Sequence, residues 1–351
     1  MRAKCLSPSV GSVPKYACGP QSNHEALVTA PHSGRRAPAQ WLSPAMSSLL
    51  QRIQRAQRQH FHAMSPVEAR AVYLRAAEVL DLPRAPLARV QDLAVPAADG
   101  TALPARLYAP SHERLPVLLY LHGGGFVIGG LETHDSLCRQ LAWRSGGAVL
   151  ALDYRLAPEH RFPTAVDDAW AAMRWLAQGG ALTLGLNPQG LAVGGDSAGG
   201  TLAATCAIHA RDIGLPLALQ LLITPGTTAL ADTPSHRMFG HGFLLDSANI
   251  SWFFEQYIDH HQRHDWRFAP LEAASLDDVA PACVVLAECD PLVDEGLAYA
   301  DQLRLAQVPV QLELYRGLTH DFIKMGRALK EAGQAQAVAA TALAQAWHRL
   351  L

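Results

Sequence analysis

The chain is poor in charge and in cysteine, and it has no long apolar run. Lys plus Arg number 29 and Asp plus Glu 31 among 351 residues, a formal net charge of -2. That near balance lacks the electrostatic footprint of a nucleic-acid or polyanion partner. Charged residues make up 17% and hydrophobic ones 49% of the chain, so a sizeable core is available and global disorder is excluded. No stretch reaches the roughly 18 consecutive apolar residues that a membrane span needs. The six cysteines include no Cys-x-x-Cys pair. Cys283 and Cys289 are read on one strand, roughly 20 Å apart at about 3.3 Å per residue, too far to bridge. The expected setting is therefore reducing and cytoplasmic. Arg2 and Lys4 are followed by no apolar segment of the secretory type.

Residues 1 to about 42 are rich in Pro, Gly, Ser, His and Arg without periodicity, and they read as disordered or loosely attached. Cys5 and Cys18 lie there. Met46 is an alternative start to the chain. One large domain, 43–351, follows. Leu49, Leu50, Ile53 and Ala56 recur at helical spacing over 44–60, with Ser43 as cap and Pro44 at the first position. Ser65-Pro66-Val67-Glu68 opens a second helix that runs to about Leu80. Strands are expected over 88–96, 102–108, 117–121, 148–154, 190–194, 217–224, 282–287 and 308–315. Helical stretches separate most of them, which argues an α/β protein with a doubly wound sheet and helices on both faces. The segment after Pro225-Gly226 breaks the alternation. It carries a helix with Trp252, Phe253, Phe254 and Tyr257, read as core packing or as a hydrophobic lid over the ligand-binding edge of the sheet.

Between the apolar run Leu191–Val193 and a helix of small residues lies Gly195-Asp196-Ser197-Ala198-Gly199, the G-x-S-x-G elbow pattern. The two glycines let helix and strand approach closely, so Ser197 is held out at the tip. The Ala198 amide lies at the helix N-terminus, where negative charge is favoured. In chain order the elbow is followed by an acid and then a base. Asp290, behind the strand ending at Ala287, is the expected acid. Glu288 is a rival, and Asp294 reads as the N-cap of the next helix. His320, in the loop after the last strand, is the expected base. Leu121-His122-Gly123-Gly124-Gly125-Phe126 follows a central strand, and Gly123 and Gly124 are read as oxyanion donors together with Ala198. Neither G-x-G-x-x-G nor G-x-x-x-x-G-K-[ST] is complete here, so no nucleotide cofactor is expected. His260 and His264 are spaced i,i+4 but lack the water-activating glutamate of a metal site, so no metal is expected.

Taken in order, His122-Gly-Gly-Gly125, Asp153-Tyr-Arg-Leu-Ala-Pro-Glu159, Gly195-Asp-Ser-Ala-Gly199, Asp290-Pro-Leu-Val-Asp294 and His320 resemble the hormone-sensitive-lipase family of α/β-hydrolases, the bacterial family IV esterases. The resemblance spans about residues 46–350. It implies the α/β-hydrolase fold, a mostly parallel eight-stranded sheet with a helical cap built from about 43–82 and 227–264. It implies Ser197 as nucleophile, Asp290 as acid, His320 as base and Gly123, Gly124 and Ala198 as the oxyanion hole. It also implies a serine carboxylesterase of lipid metabolism, acting on short- to medium-chain acyl esters, and often a homodimer. Plant members that bind hormones lack the catalytic histidine. The presence of His320 therefore separates this chain from a small-molecule receptor. The same triad would equally serve an amide or carbamate hydrolase.

Overall fold

The computed structural model describes residues 40–56 and 59–349. The segment expected to be loosely attached, with Cys5 and Cys18, lies outside the described residues apart from 40–42. Eight strands form one sheet: β1 (Arg89–Pro96), β2 (Ala102–Ala109), β3 (Pro116–Leu121), β4 (Ala148–Leu152), β5 (Asn187–Asp196), β6 (Gln220–Ile223), β7 (Ala282–Ala287) and β8 (Val310–Tyr315). Their order is β1-β2-β4-β3-β5-β6-β7-β8. β1 and β2 are antiparallel, β2 meets β4 antiparallel, and every later pairing is parallel.

The parallel strands are buried on both faces, which is why they read as continuous apolar runs rather than alternating ones. In β3, Leu119 and Leu121 belong to one core and Leu118 and Tyr120 to the other. The two cores are closed by helices: α3 (Leu131–Ser145) and α10 (Lys330–His348) on one face, α4 (Thr164–Trp175), α6 (Ala198–Asp212) and α9 (Val293–Leu305) on the other. α5 (Ala181–Thr183) is a single turn after α4. Each fully buried Leu or Val in these layers contributes about 1.5–3 kcal/mol.

Four further helices lie outside this layering: α1 (Pro44–Arg55), α2 (Pro66–Ala76), α7 (Pro234–Phe239) and α8 (Ser247–Tyr257). Ser43 caps α1 by accepting from the Met46 amide at 3.2 Å. Ser65 and Glu68 form a full capping box at the start of α2. Both helices end earlier than their periodicity suggests, α1 at Arg55 and α2 at Ala76, the latter followed by a left-handed Glu78 (φ 59). The aromatic residues of α8 divide their work. Tyr257 is fully buried and stacks on Phe126 at 4.0 Å, whereas Phe253 and Phe254 face a cavity.

Candidate active site

The site is assembled from loops at the C-terminal ends of the parallel strands, the edge where open α/β sheets bind ligands. β5 passes directly into α6, and Ser197 between them has φ 53 and ψ -122, a sparsely populated conformation that the surrounding structure must impose. The flanking glycines make that turn fit. A Cβ on Gly199 would run into the Leu121 carbonyl, and one on Gly195 into the Gly199 backbone. The Ser197 amide is anchored on Ile223 O at 2.8 Å, in the neighbouring strand.

The Ser197 hydroxyl lies 2.9 Å from His320 Nε2, and His320 Nδ1 lies 2.7 Å from Asp290 Oδ2. Asp290 is 1% and His320 5% exposed. The second carboxylate oxygen of Asp290 accepts from the Leu292 amide at 2.9 Å. With the His320 proton on Nδ1 donated to the carboxylate, Nε2 is left to accept from the serine. Burial disfavours the His320 imidazolium, but the Asp290 carboxylate more than offsets it and the ring is pushed up to about 9.

The rival acids are engaged elsewhere. Glu288 accepts from the Gly317 amide at 2.7 Å. Asp294 is not an N-cap: α9 begins one residue before it, with Leu292 at the cap, and its carboxylate accepts instead from the Ser235 amide at 2.8 Å. Cys289 falls beyond the end of β7, two residues past Ala287, so it does not share a strand with Cys283. His264 turns to the Glu272 carboxylate at 3.3 Å.

The glycine loop after β3 requires a correction. Gly123 was expected to offer its amide to an oxyanion, but that N–H already donates to Asp196 Oδ1 at 3.1 Å. Among the described residues the amides of Gly124, Gly125 and Ala198 have no acceptor, and these three residues line the cavity with Ser197. Gly124 (φ 125) and Gly125 (φ 59) hold backbone conformations that suit glycine. His122 is 3% exposed and stacked on Tyr154 at 4.3 Å. Burial and neighbouring His134 push it down to about 3, so it stays neutral.

Asp196 anchors this loop, a function that reading the sequence alone overlooks. Its carboxylate accepts from Tyr120 Oη at 2.6 Å as well as from Gly123, and its other oxygen lies 3.1 Å from His134 Nε2. Burial raises the Asp196 carboxyl, but the His134 contacts and Lys324 bring it well below the ordinary carboxylate range. The elbow pattern leaves this position unspecified, and His134 and Tyr120 carry no signal of their own in the sequence.

A cavity of about 560 Å³ opens over Ser197 and His320, within the size range of small-molecule sites. Its lining combines the phenylalanines Phe126, Phe253, Phe254 and Phe268 with the polar side chains of Tyr73, Asp81, Asp321 and Lys324, the last two on the loop that carries His320.

Comparison with known proteins agrees with this geometry. Residues 118–324 match the alpha/beta hydrolase fold family. An ethyl acetate hydrolase of Pseudomonas putida is 45% identical over 264 residues, covering 73% of this chain and 82% of that protein. The carboxylesterase NlhH of Mycobacterium tuberculosis is 37% identical, over 75% of this chain and 84% of its own length. A solved structure of a hyperthermophilic esterase from Pyrobaculum calidifontis superposes with a TM-score of 0.82 at 36% identity, covering 88% of this chain and 99% of the esterase. With its elbow, its glycine loop and these relatives, the chain belongs to the α/β-hydrolase fold family and, within it, to the family IV esterases of the hormone-sensitive-lipase type.

Proposed function

We propose that this esterase cleaves short- to medium-chain acyl esters through an acyl-enzyme formed on Ser197. The unbroken run of hydrogen bonds from Ser197 through His320 to Asp290, at the floor of the cavity, carries the reading. As the Ser197 oxygen attacks the ester carbonyl, His320 Nε2 takes its proton, and the Asp290 carboxylate orients the ring and stabilises the imidazolium. His320 then gives that proton to the departing alkoxide. Water enters, His320 removes a proton from it, and the second tetrahedral intermediate collapses to release the acid and free Ser197. The amides of Gly124, Gly125 and Ala198 serve the oxyanion; each such donor is worth roughly 2.7–4 kcal/mol in the transition state.

The cap is assigned to about 43–82 and 227–264, since these segments contribute much of the lining of the cavity. The Ser43 amide donates to Gly317 O at 2.9 Å, which supports counting the chain from Ser43 onward as part of the hydrolase domain. Cys138, Cys206, Cys283 and Cys289 are buried and unpaired, which favours a cytoplasmic setting. No helix among the described residues is long and apolar enough to cross a membrane. The edge strand β8, with Leu314 41% exposed, suits the contact of a homodimer, and ester turnover suits a place in lipid metabolism.

The test is hydrolysis of p-nitrophenyl acetate, butyrate, octanoate and palmitate by the parent and S197A. Serine-dependent activity peaking between acetate and octanoate is expected. A peak at palmitate would reject the chain-length reading, and an S197A rate within a few-fold of the parent would reject the nucleophile.

A further inference from the structure

The cavity wall beyond His320 holds polar groups that the triad and the oxyanion amides leave unused. Asp321 adopts a left-handed backbone (φ 62), and its Oδ1 lies 4.0 Å from His320 Nε2. That carboxylate has no hydrogen-bond partner among the described residues. Lys324 Nζ donates to Tyr73 Oη at 2.8 Å, and Nζ stands 4.8 Å from the Tyr73 ring centre. Nζ also lies 3.5 Å from His134 Nε2. An ammonium has three donors, so at least one N–H of Lys324 is unspent, and the Tyr73 hydroxyl, which accepts from Lys324, keeps its own proton to donate. Asp81 completes the wall. It is 1% exposed, and both carboxylate oxygens lack a partner among the described residues. An orphaned buried carboxyl of this kind is costly unless something meets it.

Chemistry says which half of an ester this wall faces. The departing alkoxide takes its proton from His320 Nε2, so the alcohol half must lie on the His320 side. Asp321 and Lys324 follow His320 by one and four residues. Charge says what that half should carry. The Lys324 ammonium already feels the carboxylates of Asp321, Asp196 and Asp81, which leaves little positive charge to hold an added anion. A neutral group that both donates and accepts is matched on both counts.

We propose that Tyr73, Asp321 and Lys324, backed by Asp81, form an alcohol-side subsite for esters whose alcohol bears a further hydroxyl. That hydroxyl accepts from Lys324 or Tyr73 and donates to a carboxylate. The phenylalanines of the lining are left to the acyl chain. This inference rests on the serine-esterase reading of the same site.

The experiment compares kcat/KM for 3-hydroxypropyl butyrate and n-butyl butyrate, which differ only by hydroxyl for methyl, in the parent, in K324M and in Y73F. Because a ratio is read, a general loss of rate in a variant cancels. The parent should favour the hydroxylated ester by about tenfold, the scale of one hydrogen bond to a charged group. K324M should bring the ratio close to one and Y73F should lower it partway. Ethyl 6-hydroxyhexanoate against ethyl heptanoate, with the hydroxyl moved to the acyl half, should show no such gain. Y73F removes one oxygen and keeps the ring, so it remains informative should K324M not fold. A parent ratio near one, or a ratio that neither variant alters, overturns the subsite. A gain confined to the acyl-side hydroxyl overturns its placement. Loss of all ester turnover in the parent would instead refute the esterase reading, which p-nitrophenyl butyrate reports separately.

Discussion

The floor and the roof of the cavity are built by different means. The floor is backbone held by backbone: strand ends, glycines without room for a Cβ, and carboxylates with every oxygen engaged. Asp290 and Asp196 show this well. Both are 1% exposed, and in the proposed mechanism Asp290 holds the base and Asp196 the glycine loop. The roof comes from short helices pinned at separate points, such as the Ser43 amide on Gly317 O and the Phe162 amide on Tyr257 O, with aromatic side chains packed between them. Groups that cannot shift without loss belong to the reaction, and groups that can be exchanged belong to the choice of substrate.

Substitutions on either side should separate the two. S197A should lower kcat on p-nitrophenyl butyrate by about 10⁵–10⁶-fold, the scale seen when a triad serine is removed. D290N should cost about 10⁴-fold and also move the pH profile. The base works only when unprotonated. A His320 held up to about 9 therefore gives a kcat/KM that falls as pH drops through the alkaline range, and without the Asp290 charge that rising limb shifts to lower pH. A parent profile with its limb at or below the ordinary histidine value would contradict the pairing. D196N keeps the shape of the side chain but weakens its hold on the Gly123 amide and on His134. Misplacement of an oxyanion loop by about 1 Å costs on the order of 10²-fold, and the loss should appear in kcat with KM little changed. F253A, on the roof, should leave kcat on acetate within a few-fold and change the octanoate-to-acetate ratio by about tenfold. If F253A and D196N produced the same kinetic pattern, floor and roof would not be functionally distinct.

Much of the floor is legible in the sequence because its signals are local. Val117–Leu121 reads as a buried strand from its apolar run alone, and Gly195–Gly199 reads as an elbow because steric closure demands glycine there. The order Ser197, Asp290, His320 follows from strand count. The error at Gly123 has a different origin. Whether an amide is free depends on what lies opposite it, and its acceptor, Asp196, is 73 residues away. Nothing in a run of three glycines says which N–H is already satisfied. The expectation for Asp294 fails by a shift of two residues, since the cap is Leu292, which turns a cap into a first-turn acceptor for Ser235. α7 goes unread because six residues are too few to display a period. The wall of Tyr73, Asp81 and Lys324 is gathered from distant positions with no shared motif.

The loop that carries the base is also the peg on which the roof hangs. The Gly317 carbonyl receives the Ser43 amide at the start of α1. Two residues on, the Thr319 hydroxyl meets the Met46 sulfur at 3.6 Å, and His320 comes next. Any motion that lifts α1 therefore pulls on the mounting of the imidazole, while Glu288 steadies the same loop from the sheet side through the Gly317 amide. The arrangement is an interlock: the seating of α1 and the alignment of His320 on Ser197 depend on the same loop.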